Sequence, residues 1–257
     1  MSKIYEPKGR AREYSPLALN LYKGCTHGCT YCYVPRMLGR WNKDYQHGDC
    51  KPNVNFDELE RSAKKWQGCG RQILLSFTGD PYCGVEPETT TRALEILNRY
   101  GHKVAILTKG GTRCLRDLDL FRQFGDRIKV GMSLTFAYTR DLLYFEPGTQ
   151  TASFRLKALN VLHENGIRTW ASFEPVISHE QSMLLLRTVK DCVDHVKIGK
   201  MNYGNPPKPI DWRQFAEEAV TVCRDNKLPF YIKRSLQPYC DGLNLTPEET
   251  NQDFLNL

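Results

Sequence analysis

Residues 17–32 of the chain read LALNLYKGCTHGCTYC, an apolar segment that leads through Lys23 and Gly24 into three cysteines. An apolar run of this length that ends near a glycine predicts a buried β-strand. Cys25, Cys29 and Cys32 follow on the next loop, at separations of four and three residues. The stretch therefore predicts a strand whose end carries a compact group of thiols.

Downstream of the cysteines, apolar segments alternate with segments of helical period. The alternation predicts strands at 72–78, 104–108, 129–135, 169–174, 195–199 and 229–233, and helices at 56–66, 88–100, 115–124, 152–164, 181–191 and 213–225. Strands that alternate with helices of about 10–15 residues imply right-handed βαβ crossovers and a parallel sheet. We therefore predict an α/β fold, a partial or full β/α (TIM-like) barrel with its core at residues 17–235.

Length and composition set broader limits. A chain of 257 residues that is 40% hydrophobic can bury a core, and we predict a single domain over residues 1–257. The first residues form no apolar leader and no later run is long enough to span a bilayer, so we expect a soluble, cytoplasmic protein without membrane contact. A formal charge of +7 favours a polyanionic partner. The sequence does not predict the oligomeric state.

The three close cysteines indicate a metal centre. Thiolates are the preferred ligands of iron–sulfur clusters, and three of them around a cube of four irons leave one iron open to a small molecule. The alternatives are a structural zinc site completed by His27 or Cys50, and buried free thiols. The chain has ten cysteines, but the other seven form no second close-spaced motif. We therefore expect one cluster.

With Tyr31 directly before its last cysteine, the motif resembles the signature of the radical S-adenosylmethionine (SAM) superfamily. The resemblance implies a radical SAM barrel and a [4Fe-4S] cluster held by Cys25, Cys29 and Cys32. It also implies that SAM chelates the open iron and is cleaved reductively to methionine and a 5′-deoxyadenosyl radical. A flavodoxin- or ferredoxin-type protein is the implied electron donor.

Further cofactor contacts are expected at the carboxyl ends of the barrel strands, where working residues of such barrels lie. By the resemblance, Asp80 after the second strand contacts the SAM amino group and Lys109 reaches a SAM carboxylate. Ser133 would bond that carboxylate or the ribose. Glu174 ends an otherwise apolar strand, so it faces SAM or substrate, or forms a salt bridge that compensates its burial.

A finer resemblance, to the spore photoproduct lyase-like branch, rests on Tyr31-Cys32-Tyr33, on Thr78-x-Asp80 and on Thr108-Lys109. It implies a thymine-derived nucleotide in DNA as substrate, with Tyr31 and Tyr33 as a hydrogen relay. Lyases of this branch use a cysteine as hydrogen donor, and Phe77 stands at its position. Cys83 is the nearest thiol. We therefore predict base modification or isomerisation rather than efficient repair of the photoproduct.

The residues alone leave the DNA contacts, the substrate class and the function open. Basic and aromatic side chains that could contact phosphates and bases in DNA are Arg36, Arg40, Trp41, Lys43, Lys197, Lys200, Lys233 and Arg234. The alternative substrates are RNA, a peptide or a small metabolite. A non-enzymatic zinc-binding module is the third possibility.

Overall fold

The computed structural model describes residues 3–40, 46, 48–201 and 206–257. The strands among these residues are, in chain order, β1 (Leu17–Leu19), β2 (Tyr22–Gly24), β3 (Cys50–Pro52), β4 (Gln72–Leu75), β5 (Lys103–Thr108), β6 (Ile128–Ser133), β7 (Arg168–Val176), β8 (His195–Lys200) and β9 (Phe230–Ile232). Seven of them form one sheet in the order β1-β4-β5-β6-β7-β8-β9, and β2 and β3 form a separate pair.

Every neighbouring pair in the seven-stranded sheet is parallel. The order follows the chain, as successive βαβ crossovers of one hand require. In the described part of the chain β1 and β9 are the two edges, so the sheet curls without closing. The predicted α/β barrel is confirmed in its partial form.

Helices cover the outer face of the sheet. They are α1 (Val34–Gly39), α2 (Phe56–Trp66), α3 (Glu88–Arg99), α4 (Leu118–Phe124), α5 (Thr139–Phe145), α6 (Ala152–Glu164), α7 (His179–Val189), α8 (Trp212–Asp225) and α9 (Pro247–Thr250). Side-chain caps fix several starts: Asn55 accepts from the Glu58 amide, and Ser178 accepts from the Gln181 amide. The long helices bury one face against the sheet, which the 3.6-residue period predicted.

The first predicted strand is divided in two. The side-chain oxygen of Asn20 accepts hydrogen bonds from the amides of Phe77 at 2.7 Å and Thr78 at 3.2 Å. The chain then turns, and β2 pairs with β3 in an antiparallel ladder that places Gly24 opposite Cys50. This small hairpin leads directly into the cysteine loop.

Several helices differ from the sequence-based prediction, and α1, α5 and α9 were not predicted. The segment Gly111–Asp117 is a 3-10 helix, and α4 begins at Leu118, three residues after the predicted start. Helix α5 was missed because Leu142 is its only buried residue, so it has no apolar stripe.

The amino-terminal ends of the strands are closed by the two ends of the chain. Lys197 on β8 donates to the carbonyl of Glu13 at 2.8 Å, and Lys129 on β6 donates to the carbonyl of Leu255. Gln72 accepts from the amide of Leu257 at 3.1 Å. Lys197 is fully buried, so its predicted role as a phosphate contact is wrong.

No helix within the described ranges is long and apolar enough to cross a membrane. The single domain over residues 1–257 stays a prediction.

Candidate active site

A cavity of about 620 Å³ opens at the carboxyl ends of the strands. This volume lies in the range of small-molecule sites. Its wall brings together residues that are far apart in sequence, because parallel strands end at the same edge of a sheet. Residues of the cysteine loop, of the strand ends and of the amino-terminal segment line it, among them Tyr14, Cys25, Cys29, Tyr31, Cys32, Tyr33, Phe77, Asp80, Lys109, Ser133, Glu174 and Lys233.

The cysteine loop presents all three of its thiols to this cavity. Burial raises the pKa of Cys25 and Cys32 above the usual value, and it raises the pKa of Cys29 to about 12. A bound cation is therefore needed to hold these sulfurs as thiolates near neutral pH. Three thiols on one loop that face one cavity fit the ligand set of an iron–sulfur cluster.

The two candidates for a fourth zinc ligand contact other partners. The ring of His27 lies 3.5 Å from Asp80 through Nδ1 and 3.4 Å from Arg113 through Nε2. The sulfur of Cys50 lies 3.4 Å from that of Cys83. These contacts favour the cluster over a closed zinc site with four protein ligands.

The segment after α5 holds the cysteine loop in place, and it was missed by sequence reasoning. The Thr30 amide donates to the carbonyl of Phe145 at 2.9 Å, and the Gly148 amide donates to the carbonyl of His27 at 2.9 Å. A Cβ at position 148 would lie 2.2 Å from the carbonyl oxygen of Thr26. Only glycine allows this approach, and the Glu-Pro-Gly turn at 146–148 was the available signal.

Glu146 is the centre of a buried charge network beside the loop. It is fully buried, and it accepts hydrogen bonds from the guanidinium of Arg155 and the hydroxyl of Tyr31. Burial would raise the pKa of Glu146, but Arg155 and Lys109 outweigh burial and lower the pKa to about 2. The carboxylate therefore stays charged inside the protein.

Lys109 at the end of β5 completes this network. Its Nζ lies 3.4 Å from Glu146 Oε1 and 5.2 Å from the centre of the Tyr31 ring. Burial would lower the pKa of Lys109, but Glu146 and the thiol of Cys29 raise it above the usual value. The network thus keeps an ammonium group at the cavity wall next to the cysteines.

Asp80 joins its own loop to the end of β5. Its carboxylate accepts hydrogen bonds from the Tyr82 amide at 2.8 Å, the Thr108 hydroxyl at 2.5 Å and the Lys109 amide at 2.7 Å. The predicted SAM contact thus has a carboxylate that is already bound by protein donors. Asp80 still lines the cavity, and its role there stays a prediction.

The wall formed by β7 and β9 carries a second polar group. Glu174 accepts hydrogen bonds from the hydroxyl of Tyr14 and the ammonium of Lys233. The Tyr14 hydroxyl also lies 3.1 Å from Ser172 Oγ, and Lys233 Nζ lies 3.9 Å from the Tyr14 ring centre. The structure therefore agrees with both predictions for Glu174, which forms a salt bridge and also lies at the cavity wall. Ser133 lines the same cavity.

Of the residues considered for hydrogen transfer, some line the cavity and Cys83 does not. Tyr31, Tyr33 and Phe77 line the cavity, and the Tyr33 hydroxyl donates to the carbonyl of Phe77 at 2.6 Å. Cys83 is buried behind the cysteine loop, against Cys50, and it is not among the residues that line the cavity. The Cys83 carbonyl accepts a hydrogen bond from the Thr26 hydroxyl at 2.5 Å, which joins this turn to the cysteine loop.

The basic residues predicted to contact DNA differ in their burial. Lys233 is buried in its ion pair with Glu174, so its assignment as a phosphate contact is wrong. Lys200 donates to the Tyr239 hydroxyl at 3.0 Å and lies over the Trp212 ring. Of the other predicted DNA contacts, Trp41 and Lys43 lie outside the described residues, and three arginines are exposed. The exposed ones are Arg36, Arg40 and Arg234.

Comparison of the sequence with known families gives one match. A family model described as the radical SAM superfamily matches residues 19–191. An uncharacterized protein of Methanocaldococcus jannaschii is 30% identical over 161 residues, which are 62% of this chain and 60% of that protein. An uncharacterized protein of Acidianus two-tailed virus is 26% identical over 170 residues, 62% of this chain and 55% of that protein. The chain thus matches less than two thirds of the length of these relatives.

Solved structures share the fold. Spore photoproduct lyase complexed with dinucleoside spore photoproduct superposes with a TM-score of 0.68 at 16% identity, covering 91% of this chain and 79% of the lyase. Streptococcus suis SuiB bound to S-adenosylmethionine superposes with a TM-score of 0.63 at 14% identity, covering 90% of this chain and 51% of SuiB. At these identities the likeness concerns the fold.

Proposed function

The chain belongs to the radical SAM superfamily of enzymes, which use a [4Fe-4S] cluster and SAM, and on that premise we propose that it acts on a thymine-derived nucleotide in DNA. Cys25, Cys29 and Cys32 hold the cluster. The observation that carries the proposal is the cavity, in which the three thiols face the same space as Tyr31 and Tyr33. The likeness of the fold to a lyase bound to a dinucleoside supports this substrate class.

The bound cluster and SAM supply a 5′-deoxyadenosyl radical, and the protein orients the reactants around it. Lys109 donates to the SAM carboxylate, and Glu146 fixes its ammonium beside Tyr31. Ser133 at the end of β6 would donate to the SAM carboxylate or ribose, and Asp80, which also lines the cavity, would contact the SAM amino group. Because these groups are preorganised, little reorientation is needed when the cofactor binds.

The reaction differs from photoproduct repair. A lyase must return a hydrogen atom to its product radical, and the phenyl ring of Phe77 is a poor donor at the place where the lyases carry a thiol. Cys83 lies behind the loop rather than in the cavity wall. We therefore propose a modification or isomerisation of a thymine-derived base.

Anaerobic incubation of the reconstituted enzyme with SAM, a low-potential reductant and nucleic acid tests this proposal. Thymine-containing DNA, base-modified phage DNA and RNA form parallel arms, and nucleoside mass analysis follows each incubation. We expect 5′-deoxyadenosine together with an altered thymine-derived nucleoside in a DNA arm. Product in the RNA arm alone, or 5′-deoxyadenosine with every nucleoside unchanged, would transfer the assignment to RNA, a peptide or a small metabolite.

A photoproduct-containing dinucleotide provides the direct test against repair. Wild type and Phe77→Cys are assayed side by side for release of thymidine. We expect little conversion by wild type and a gain in Phe77→Cys, because the new thiol lies on the cavity wall. Efficient conversion by wild type would show that the enzyme is a repair lyase with another hydrogen donor.

A further inference from the structure

The polar group on the cavity wall opposite the cysteine loop has no role in holding the cluster. We call Tyr14, Glu174 and Lys233 the wall triad. Lys233 and Glu174 are oppositely charged and bonded to each other, and the Tyr14 hydroxyl donates to the same carboxylate. Burial and the neighbouring Glu174 raise the pKa of Tyr14 well above its usual value, so the phenol is protonated. The wall triad is therefore neutral as a unit.

Burying an ion pair at this position costs free energy of folding. Taking two charges out of water costs several kcal/mol per ion, and apolar residues of similar volume often stabilise a protein as well or better. Lys233 is 1% exposed, and it lies at the wall of a cavity rather than at a surface. The pair therefore places two charged groups where a ligand in the cavity can contact them.

The neighbouring strand leaves space for the wall triad. Gly199 on β8 lies against it, and a Cβ at this position would meet Lys233 Cδ at 2.9 Å and Glu174 Oε1 at 3.2 Å. An alanine would therefore displace the ammonium or the carboxylate. The absence of a side chain at Gly199 thus leaves room for both charged groups.

The chemistry of the wall triad selects a class of ligand. A neutral unit with a carboxylate acceptor and an ammonium donor suits a neutral ligand that offers a donor beside an acceptor, such as an amide or imide. The ammonium of Lys233 has three donor hydrogens, and an ionised carboxylate accepts about four hydrogen bonds. The nearby wall is apolar and suits a flat ring, since it includes Leu74, Phe77 and Leu107.

Resting on the proposed function, we propose that the wall triad binds the imide edge of a pyrimidine-2,4-dione ring. Glu174 accepts the ring N3–H, and Lys233 donates to an adjacent ring carbonyl. Tyr14 holds the carboxylate in position. With the ring in this orientation the subsite selects thymine-type and uracil-type bases over cytosine, whose N3 is an acceptor and would face the carboxylate.

Three single-stranded oligonucleotides of equal length test the subsite on the cluster-loaded enzyme with SAM and without reductant. One has a central thymidine flanked by cytidines, the second has N3-methylthymidine at that position, and the third is cytidine throughout. The backbone charge is identical, so contacts to phosphate cancel. We expect the thymidine probe to bind roughly 10–100-fold more tightly than the other two, since a hydrogen bond to a charged group contributes about 1.5–3 kcal/mol.

Glu174→Gln provides the matching change in the protein, because the amide keeps the shape of the side chain. We expect this variant to discriminate less strongly between the thymidine and N3-methylthymidine probes, because a neutral amide oxygen is a weaker acceptor than a carboxylate. Glu180→Gln is the control, since Glu180 lies on the exposed first turn of α7, bonded to the Tyr138 hydroxyl. It should retain the full discrimination. If Glu174→Gln fails to fold, the comparison of probes on wild type still decides the question.

The outcomes separate the two proposals. Equal binding of the thymidine and N3-methylthymidine probes to wild type would overturn the wall triad as an imide subsite and leave a DNA substrate in place. Discrimination in Glu174→Gln as large as that of wild type would also overturn it. Failure of all three probes to bind at low salt would overturn the proposed DNA substrate, and the subsite with it.

Discussion

The two ends of the barrel bury charge in opposite ways. At the carboxyl ends of the strands, Glu146 and Lys109 lie close together, and each has its pKa shifted toward the charged form. At the amino ends, burial lowers the pKa of Lys129 and His195 well below their usual values, and it lowers the pKa of Lys197 to about 7. The site end thus maintains fixed charges, whereas the closed end favours neutral bases.

This contrast indicates which end the protein uses for chemistry. Opposite charges held in a low-dielectric wall can act on a developing charge without reorganising. At the other end, Lys129 and Lys197 have lowered pKa values and donate hydrogen bonds to backbone carbonyls of the chain ends that close the barrel. Substitutions at the two ends should therefore have effects of different kinds.

The largest expected effect on bound iron and SAM cleavage is the loss of a cluster ligand, which a cysteine elsewhere in the molecule should not reproduce. We expect Cys29→Ala to lose most bound iron and all reductive SAM cleavage, because no neighbouring thiol on the loop replaces it. Iron content and 5′-deoxyadenosine measured under anaerobic conditions provide the test. Cys69→Ala, on the loop after α2, is the matched control and should retain both. Normal 5′-deoxyadenosine from Cys29→Ala would disprove the assignment of the cluster.

The second largest expected effect is on the free energy of unfolding, when one ionisable side chain is replaced at each end of the barrel. Glu146→Gln leaves Arg155 and Lys109 buried without their carboxylate, and breaking a buried pair in this way costs about 3–5 kcal/mol. Lys129→Met removes a buried base whose charged form burial disfavours, so we expect a change within about 1.5 kcal/mol. Anaerobic urea unfolding of the two variants measures both. Equal losses would remove the distinction between the two ends.

Salt dependence of DNA binding tests the surfaces of the two ends. We expect Arg234→Ala, an exposed substitution beside the cavity, to reduce the log–log slope of affinity against salt by about 0.7 on single-stranded DNA, the value for one phosphate contact. Lys197→Met is the matched control at the closed end. It should leave the slope unchanged, because Lys197 is buried and bonded to backbone carbonyls. A flatter slope in Lys197→Met would contradict the burial of this lysine.

The smallest expected effect is the pH dependence that Lys197 causes. Its pKa is about 7 in the folded protein and 10.5 in the reference state, so the unfolded chain binds the proton more tightly. Above pH 10.5 Lys197 is neutral in both states and does not destabilise the fold. As the pH falls from 10.5 toward 7, the protein loses stability, because the unfolded chain binds the proton and the folded protein does not. Between pH 7 and 8 we expect wild type to gain about 1 kcal/mol relative to Lys197→Met. Urea unfolding of both proteins at the two pH values measures this gain, and parallel curves would contradict it.

The sequence predicted the parts of the site that depend on local pattern. The spacing of the cysteines and the ends of the apolar runs were visible in the chain, and parallel strands end at one edge of a sheet. Lys109, Ser133 and Glu174 therefore meet at one cavity, as the strand pattern indicated.

The remaining parts depend on contacts that no local pattern encodes. Glu146 and Arg155 follow a helix without an apolar stripe, and their pairing exists only after folding. The position of Tyr14 against Glu174 likewise requires the amino-terminal segment to reach the barrel. A lysine in a strand predicts exposure by residue type, so the burial of Lys197 and Lys233 was missed. Cys83 was adjacent in sequence to the predicted site, but the local turn directs it elsewhere.

The support of the cysteine loop by the segment after α5 also constrains how the protein matures. Tyr31 and Glu146, which bond to each other, are 115 positions apart in the chain. At a synthesis rate of about 5–20 residues per second, the cysteines emerge from the ribosome several seconds before the carboxylate that supports their loop. Until then the thiols are exposed on an unsupported segment. Iron and sulfide are therefore expected to enter the loop after translation has passed α5, and an early-loaded loop would hold its metal loosely.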